Sequence, residues 1–571
     1  MSSGALSTIV RAAALADAWA ALGYDARAAA AAEKARTLSG SLPARQQLEV
    51  EATWREMRAE WPEAIAVART MVGKAPDDIE ATVRLAHAQT ASGDAKGALV
   101  TLDDFRTQVP QATDSRLDLE EAAAAETLAD FPRMQAAARR AADRGAAQGA
   151  RLIVARAGVL EGTALLRMGK FGDAEARLQE ARATYDAAGD KDGAARAMNS
   201  LAAVVTDHGD QRRGQGIYEE ALKVARATGN QNLTARLLNN LAISHRRAGD
   251  LRGALALNRE ALAIRREIGD RTNLAVSLNN IGNVLIDMGD LSGASSEYEE
   301  AAKIHRDIGD RRGLARALYN AGVALRLQGD VRRSLEVNEE ALEIRRGIDD
   351  PTSLATSLFG VAEAASLLGD DARAKGLYEQ ALAANRSLKA QRPVGYNLYS
   401  LGEVAYRAGD LATATARHEE ALAIRTGLGE RGTVAESQIA QARIALAQDR
   451  AADAERLART ALGMFTEQKA ADNEAIARAT VARAEARLGR RQPALQQARA
   501  AVKAVATSQS LMARAEVLVG AAEVEAAAGT AASRATLANA VSAIETRARR
   551  GGLVWHQREA ARALALLRRR S

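Results

Sequence analysis

The chain has 571 residues, 47% of them hydrophobic but only 3% aromatic, no Cys, and a net charge of +6 from 78 basic and 72 acidic side chains. Without Cys there are no disulfides, no thiol catalysis and no thiolate metal sites. No basic block with interleaved aromatics occurs, and no segment approaches about 18 consecutive apolar residues, so neither a nucleic-acid surface nor a membrane-spanning helix is expected.

The N-terminal stretch MSSGALSTIVRAAALADAWAALGYDARA lacks a basic start followed by a continuous apolar run, and a soluble, cytoplasmic chain is expected. Residues 1–42 read as a helical pair, turned at Gly23-Tyr24-Asp25 and stopped by Gly40 and Pro43. From there to about 112 the pattern steps by 34 residues, Ala64 to Ala98 and Pro76 to Pro110, with Trp54 and Trp61 as packing residues at a turn. Residues 113–150 hold one degenerate pair, broken near Phe131-Pro132. Five of the eight prolines precede residue 133, so composition and repeat type change together. Three segments are therefore expected: 1–150, a regular series over 151–430, and a degenerate series with a closing helix over 431–571.

The unit of the regular series is the stretch from Arg271 to Asp310, RTNLAVSLNNIGNVLIDMGDLSGASSEYEEAAKIHRDIGD. Leu274, Leu278, Ile281 and Leu285 recur at three- and four-residue steps, as do Tyr298 and Ala301, which specifies two amphipathic helices. Gly289-Asp290 joins them and Gly309-Asp310 closes the unit: Gly supplies left-handed backbone, and Asp accepts from the free N–H groups of the next helix. Gly-Asp pairs recur every forty residues, at 209–210, 249–250, 289–290, 329–330, 369–370 and 409–410. Ala174, Ala254, Ala294, Ala374, Ala414, Ala454 and Ala494 keep one second-helix position small, and the register is unbroken from about 151 to 510. One hairpin cannot bury its apolar face alone, so a fixed period of this length predicts a stacked solenoid with contacts between neighbours only. After 431 Gln441 and Ala442 replace Leu-Gly, a decay that reads as capping. The last segment, GGLVWHQREAARALALLRRRS, reads as a closing helix whose Arg568, Arg569 and Arg570 complement its dipole.

Ile281-Gly282, Leu285, Gly289, Ala294, Tyr298 and Ala301 resemble the tetratricopeptide repeat, with Leu278 where that family often has Trp. The closing Pro is missing and the period is six residues longer. That longer form is similar to the repeats of kinesin light chains, of Partner-of-Inscuteable adaptors, and of arrays attached to bacterial signalling kinases and transcription regulators. The resemblance implies an all-α fold, a right-handed superhelical α-solenoid of stacked helix-turn-helix hairpins, with the first helix of each hairpin lining the concave side.

On that helix, residues 276, 279, 283 and 286 share a face beside the core positions. The 279 position holds Asn199, Asn239, Asn279, Tyr319, Phe359 and Tyr399 in successive repeats; the 276 position holds Arg196, Arg236, Val276, Arg316, Thr356 and Tyr396. Asn240, Asn280 and Asn320 follow the first set, Asn283 lies on the same face, and Tyr406 lies one turn beyond Gly402. A stretch of Asn and Arg thus grades into an aromatic one. Asn amides pair with both N–H and C=O of an extended peptide, and aromatic side chains offer pockets for anchors. These residues are expected to line one continuous track for a peptide segment of a partner protein. The Asn set is equally readable as repeat consensus.

Other constellations fail. His305-Arg306-Asp307 spells the start of a kinase catalytic loop, but Arg312 stands where that loop needs Asn. Gly214-Gln215-Gly216 lacks both the third Gly and a preceding strand. The six His residues have no metal spacing, and His418 reads as packing. No catalytic set, metal or cofactor is expected. The leading reading is a non-enzymatic interaction scaffold without nucleic-acid binding or membrane insertion; the alternative is a regulatory or sensor array of a bacterial signalling system, linked to a kinase or transcription regulator.

Overall fold

The computed structural model describes residues 3–21, 24–348 and 350–569. Among the described residues it holds 29 α-helices, a short 3-10 turn at Ser39–Ser41, and no strand. Consecutive helices pair throughout, as the repeat implies. The expected turn residue Gly23 and the terminal Arg570 lie outside the described residues.

Local chemistry explains the hairpins. Between helices Arg271–Asp287 and Leu291–Asp307, Gly289 takes φ +80°, a conformation that costs a residue with a side chain roughly 1–2 kcal/mol. The turn lets Asp290 N donate back to Leu285 O at 2.9 Å. The Asp290 carboxylate then accepts from Gly293 N at 2.9 Å and opens the second helix. Asp210, Asp250, Asp330, Asp370 and Asp410 cap their helices in the same way. Among the described residues five turns adopt the left-handed conformation without glycine, at Ala59, Ala129, Lys389, Asp449 and Lys469.

Small residues let the paired helices approach. Ala294 is fully buried. Opposite Tyr298 stands Gly282, where a Cβ would lie 2.6 Å from the ring, and the Tyr298 hydroxyl donates to Asn283 Oδ1 at 2.7 Å. The same crossing is filled by Leu178 against Gly162, Asn338 against Gly322 and His418 against Gly402. Burying each large apolar side chain in these stacks contributes about 1.5–3 kcal/mol.

The chain divides into two compact units, residues 1–280 and 281–571. In unit 1, Trp54 is buried and the Arg36 guanidinium lies 3.9 Å from its ring centroid, while Trp61 meets His87 edge-on at 6.5 Å. The break at Phe131-Pro132 is the start of helix Phe131–Ala147, with Asp130 accepting from Arg133 N and Pro132 in the first turn. Helix pairing continues through residue 150, where the repeat type changes.

Unit 2 departs from neighbour-only stacking. Its pairing persists past residue 431 despite the decayed pattern, but the last helices, Leu511–Ala528, Ala531–Gly551 and Val554–Arg569, fold back onto much earlier repeats. Leu511, Leu553 and Leu564 share one apolar cluster with Val331 and Ala364, and Leu335 and Leu368 pack against it. Gly551 comes so close to Gly329 that a Cβ would overlap the Gly329 carbonyl oxygen, and Val554 lies against Gly369. Gln509 Oε1 accepts from Leu291 N at 3.4 Å. The expected cap is therefore a clasp. The reason is apolar: Leu511, Leu518, Leu553 and Leu567 are buried on surfaces that a merely polar outer face would leave wet.

Candidate functional site

Within unit 1 the first helices Lys191–Asp207 and Gln231–Arg247 carry the polar half of the expected track. Arg196 and Arg236 are exposed, Asn199, Asn240 and Asn280 are half-buried, and Asn240 Nδ2 donates to Asn199 Oδ1 at 2.8 Å. A shallow cleft of about 110 Å³ opens beside Asn240, between Ala203, Tyr218, Ile243 and Arg247. Asn239 and Asn279 differ from the expectation: they are 5% and 4% exposed and face the interior. Asn279 Nδ2 donates to Ala275 O at 3.1 Å. The Asn239 amide, placed with its oxygen toward Arg265, accepts from Nη1 at 2.6 Å and Nη2 at 3.0 Å and donates to Asn258 Oδ1 at 3.0 Å. At this helical position the Asn239 and Asn279 amides end inside the stack, whereas Asn199 and the aromatic side chains stay half-buried or exposed.

Arg265 itself is a buried second-helix cation that also donates from Nη1 to Asn273 O at 2.7 Å and Ser277 Oγ at 2.5 Å. Burial pushes its guanidinium down to about 10, with Arg236 adding to the shift and Asp270 opposing it.

Unit 2 carries the aromatic half. Tyr396 is 39% exposed; Tyr319, Phe359, Tyr399 and Tyr406 are half-buried; Arg316 is exposed and Asn320 half-buried. Asn283 is held by Tyr298, as described. Two further buried arginines back the rings. Arg345 donates from Nη1 to Ser353 O and Ser357 Oγ, both at 2.9 Å, and lies 5.5 Å from the Tyr319 ring centroid. Arg425 donates to Thr433 O and Ser437 Oγ, both at 2.8 Å, and lies 5.3 Å from Tyr396 and 4.6 Å from Tyr399. Burial pushes the Tyr319 hydroxyl up to about 12 and raises Tyr399 as well. Phe359 tilts against buried Tyr378 at 5.5 Å.

These arginines were missed in the forty-residue comparison, although the signal exists at twice that period. Arg265, Arg345 and Arg425 are each followed twelve residues later by Ser277, Ser357 and Ser437. His305 and Asn385 occupy the intervening repeats and are also buried.

Beyond Tyr399 the first-helix face runs under the clasp. Glu403 accepts from Arg443 Nη2 at 2.5 Å and faces His418 Nε2 at 3.3 Å, while Arg443 Nη1 donates to Glu516 Oε1 of the clasp at 3.0 Å. Arg443 holds the Glu403 carboxyl well below its usual range against the opposing effect of burial. Tyr406 lies 5.1 Å from the same guanidinium. His418 is fully buried, edge-on to Tyr399 at 5.0 Å, as a packing residue should be. Among the described residues no group of three or more His, Asp or Glu could hold a metal ion. No described helix is long and apolar enough to cross a membrane.

These features define, in each unit, an array of paired helical hairpins. A sequence model of the tetratricopeptide repeat matches residues 213–267, 273–347 and 313–387, and through these stretches the chain is a tetratricopeptide-repeat array. Repeats of this family are in general non-catalytic scaffolds for protein interaction. Similar solved structures include RapI in its apo form, with 14% identity, 61% of this chain and 98% of that one covered, and a TM-score of 0.45. BtubC from P. vanneervenii is 21% identical over 39% of this chain and 90% of that one, with a TM-score of 0.35. A Podosopora anserina kinesin light chain with nearly identical repeats is 17% identical over 34% and 96%, with a TM-score of 0.31. No curated protein matches the chain.

Proposed function

We propose that this chain is a non-enzymatic interaction scaffold and that the first-helix face of unit 2 holds a peptide segment of a partner protein. The observation that carries this reading is the exposure of Tyr396 beside half-buried Tyr399, with Arg425 fixed behind both rings. An aromatic side chain already immobilised by a cation loses little entropy when a ligand covers it. Phe359 and Tyr319 continue the row one and two repeats earlier, and Arg316 supplies an exposed charge at its edge. The clasp ends the row near Tyr406, so Tyr396 is the exposed ring of the row, with Tyr319, Phe359 and Tyr399 half-buried beside it.

The test is affinity capture from the source cell with the intact chain and with Tyr396→Ala. A central aromatic anchor contributes 2 kcal/mol or more, so the variant should bind the captured partner roughly thirtyfold more weakly with its melting unchanged. An identical captured set with equal affinity would remove this face from the function.

A further inference from the structure

We propose that the outer face of the closing helical hairpin, Ala531–Gly551 with Val554–Arg569, docks on an anionic lipid surface without crossing it. This goes beyond the peptide-holding face and uses different residues.

Charge is concentrated here. Residues 531–571 carry nine arginines against two glutamates, a net +7, whereas the preceding 530 residues hold 69 basic and 70 acidic side chains. Both glutamates are engaged within their own helices: Glu545 accepts from Arg549 and Glu559 from Arg562, each at 2.6 Å. The arginines just upstream are matched instead by carboxylates of other helices, Arg483 by Glu523 at 2.8 Å, Arg487 by Asp449 at 3.0 Å and Arg490 by Glu455 at 2.9 Å. Asp330 and Asp370 follow the glycines that meet the hairpin turn and offset part of the charge at that end. The excess therefore lies along the closing helix, where Arg558, Arg562 and Arg568 are exposed. The helix dipole accounts for a cation in the last turn, as at Arg568. Arg558 and Arg562 stand in the second and third turns, where it offers a cation nothing.

Geometry selects a bilayer among polyanions. Trp555, Arg558, Arg562 and Leu566 recur at three- and four-residue steps and form one stripe. The opposite stripe, with Ala560, Ala563, Leu564 and Leu567, is buried in the clasp. On the outer stripe Trp555 is half-buried and Leu566 is 43% exposed. Arginines bracketed by an indole and a leucine suit the boundary where lipid phosphates overlie acyl chains. The neighbouring helix adds exposed Arg547 and Arg550, and from Ala535 to Thr546 it exposes no side chain longer than Asn539. The major groove of a DNA duplex, about 12 Å wide, admits one helix. The closing helix is flanked by Leu511–Ala528 and Ala531–Gly551, both packed against it, and cannot enter alone. A single strand stacks successive bases on aromatic rings, and Trp555 is the only Phe, Trp or Tyr after residue 530.

The experiment is co-sedimentation of the full-length chain with phosphatidylcholine vesicles, with and without about 30% phosphatidylserine, at low and high salt. The anionic vesicles should bind the chain about tenfold more strongly or better, and salt should weaken that binding. Arg558→Gln combined with Arg562→Gln should lower it by about tenfold to thirtyfold, since each arginine near an anionic surface contributes roughly fivefold. Arg558→Lys with Arg562→Lys should restore most of it, which separates lost charge from lost fold. Removing equal charge from exposed positions elsewhere, by Arg69→Gln with Arg212→Gln, should change it by less than about twofold. Leu566→Ala should weaken vesicle binding about threefold and leave binding of a DNA duplex at equal phosphate concentration unchanged. Equal binding to the two vesicle types, no recovery with lysine, an equal loss in the Arg69–Arg212 variant, or tighter binding of the duplex overturns the inference. Tyr396→Ala should leave vesicle binding intact, so this surface and the unit 2 peptide face fail independently.

Discussion

The guanidinium carbon of Arg425 lies 4.6 Å from the ring centroid of Tyr399, and this pairing divides the aromatic row into two kinds of residue. Tyr399 is wedged between Arg425 and buried His418, whereas Tyr396 covers the same arginine from the solvent side. Tyr399→Ala should therefore cost about 3 kcal/mol in denaturant unfolding, through lost packing and lost cation–π contact. Tyr396→Ala should cost less than about 1 kcal/mol and act on binding instead. Equal destabilisation by both would make Tyr396 a packing residue too.

The hairpin crossing is equally testable. A methyl added by Gly282→Ala would press into the Tyr298 ring. The overpacking penalty of roughly 1–3 kcal/mol should exceed the gain of about 1 kcal/mol in helix propensity. Ala294→Leu should cost a similar 1–3 kcal/mol, since Ala294 has no exposed surface. The Gly282→Ala penalty should shrink when Tyr298 is also reduced to Leu, a coupling measurable in a double-mutant cycle.

Left-handed turns without glycine offer the opposite sign. Ala129 has φ 57° and an exposed side chain. Ala129→Gly should raise stability by about 0.5–1 kcal/mol, the relief of the left-handed penalty less the entropy glycine adds to the unfolded chain. Thermal unfolding reads this directly. A lowered melting temperature would mean that the methyl packs favourably after all.

Protonation should loosen the clasp. The imidazole of His556 on the closing helix is pushed down to about 4 by burial, then by Arg407 and Arg443, with Glu403 opposing. The same group titrates at about 6.5 when unfolded. Its contribution to stability is therefore complete above about pH 6.5 and is lost as pH falls toward 4, on the order of a few kcal/mol. Hydrogen exchange over residues 511–569 should accelerate in that window, and His556→Gln should abolish the step. A step of the same size in the variant would assign it to other groups.

Much of the fold was legible because it is written in local chemistry repeated many times. Gly289 and Asp290 make the same turn and cap as Gly249 and Asp250, and each recurrence strengthens the reading. Features that break the forty-residue period were not legible. Comparing adjacent repeats aligns Arg265 with His305 and Arg345 with Asn385, which hides the buried arginines that hold the aromatic row. Nor does helical spacing distinguish Asn239, turned inward to Arg265, from Asn240, one residue on and partly in solvent. The meeting of Gly329 with Gly551 has no local signature at all, since each glycine is ordinary in its own helix-turn context.

That meeting fixes the length of unit 2. An open stack can gain or lose a hairpin at little cost, because each repeat answers only to its neighbours. Once Gly551 rests on the Gly329 carbonyl and Val554 on Gly369, one hairpin more or less between them shifts the closing helices away from the surface they cover. Deletion of residues 371–410 should thus expose Val331, Ala364 and Leu368 instead of yielding a shorter copy of the same body. The contacts that seal the unit also join residues far apart in sequence, which raises its contact order above that of an open stack.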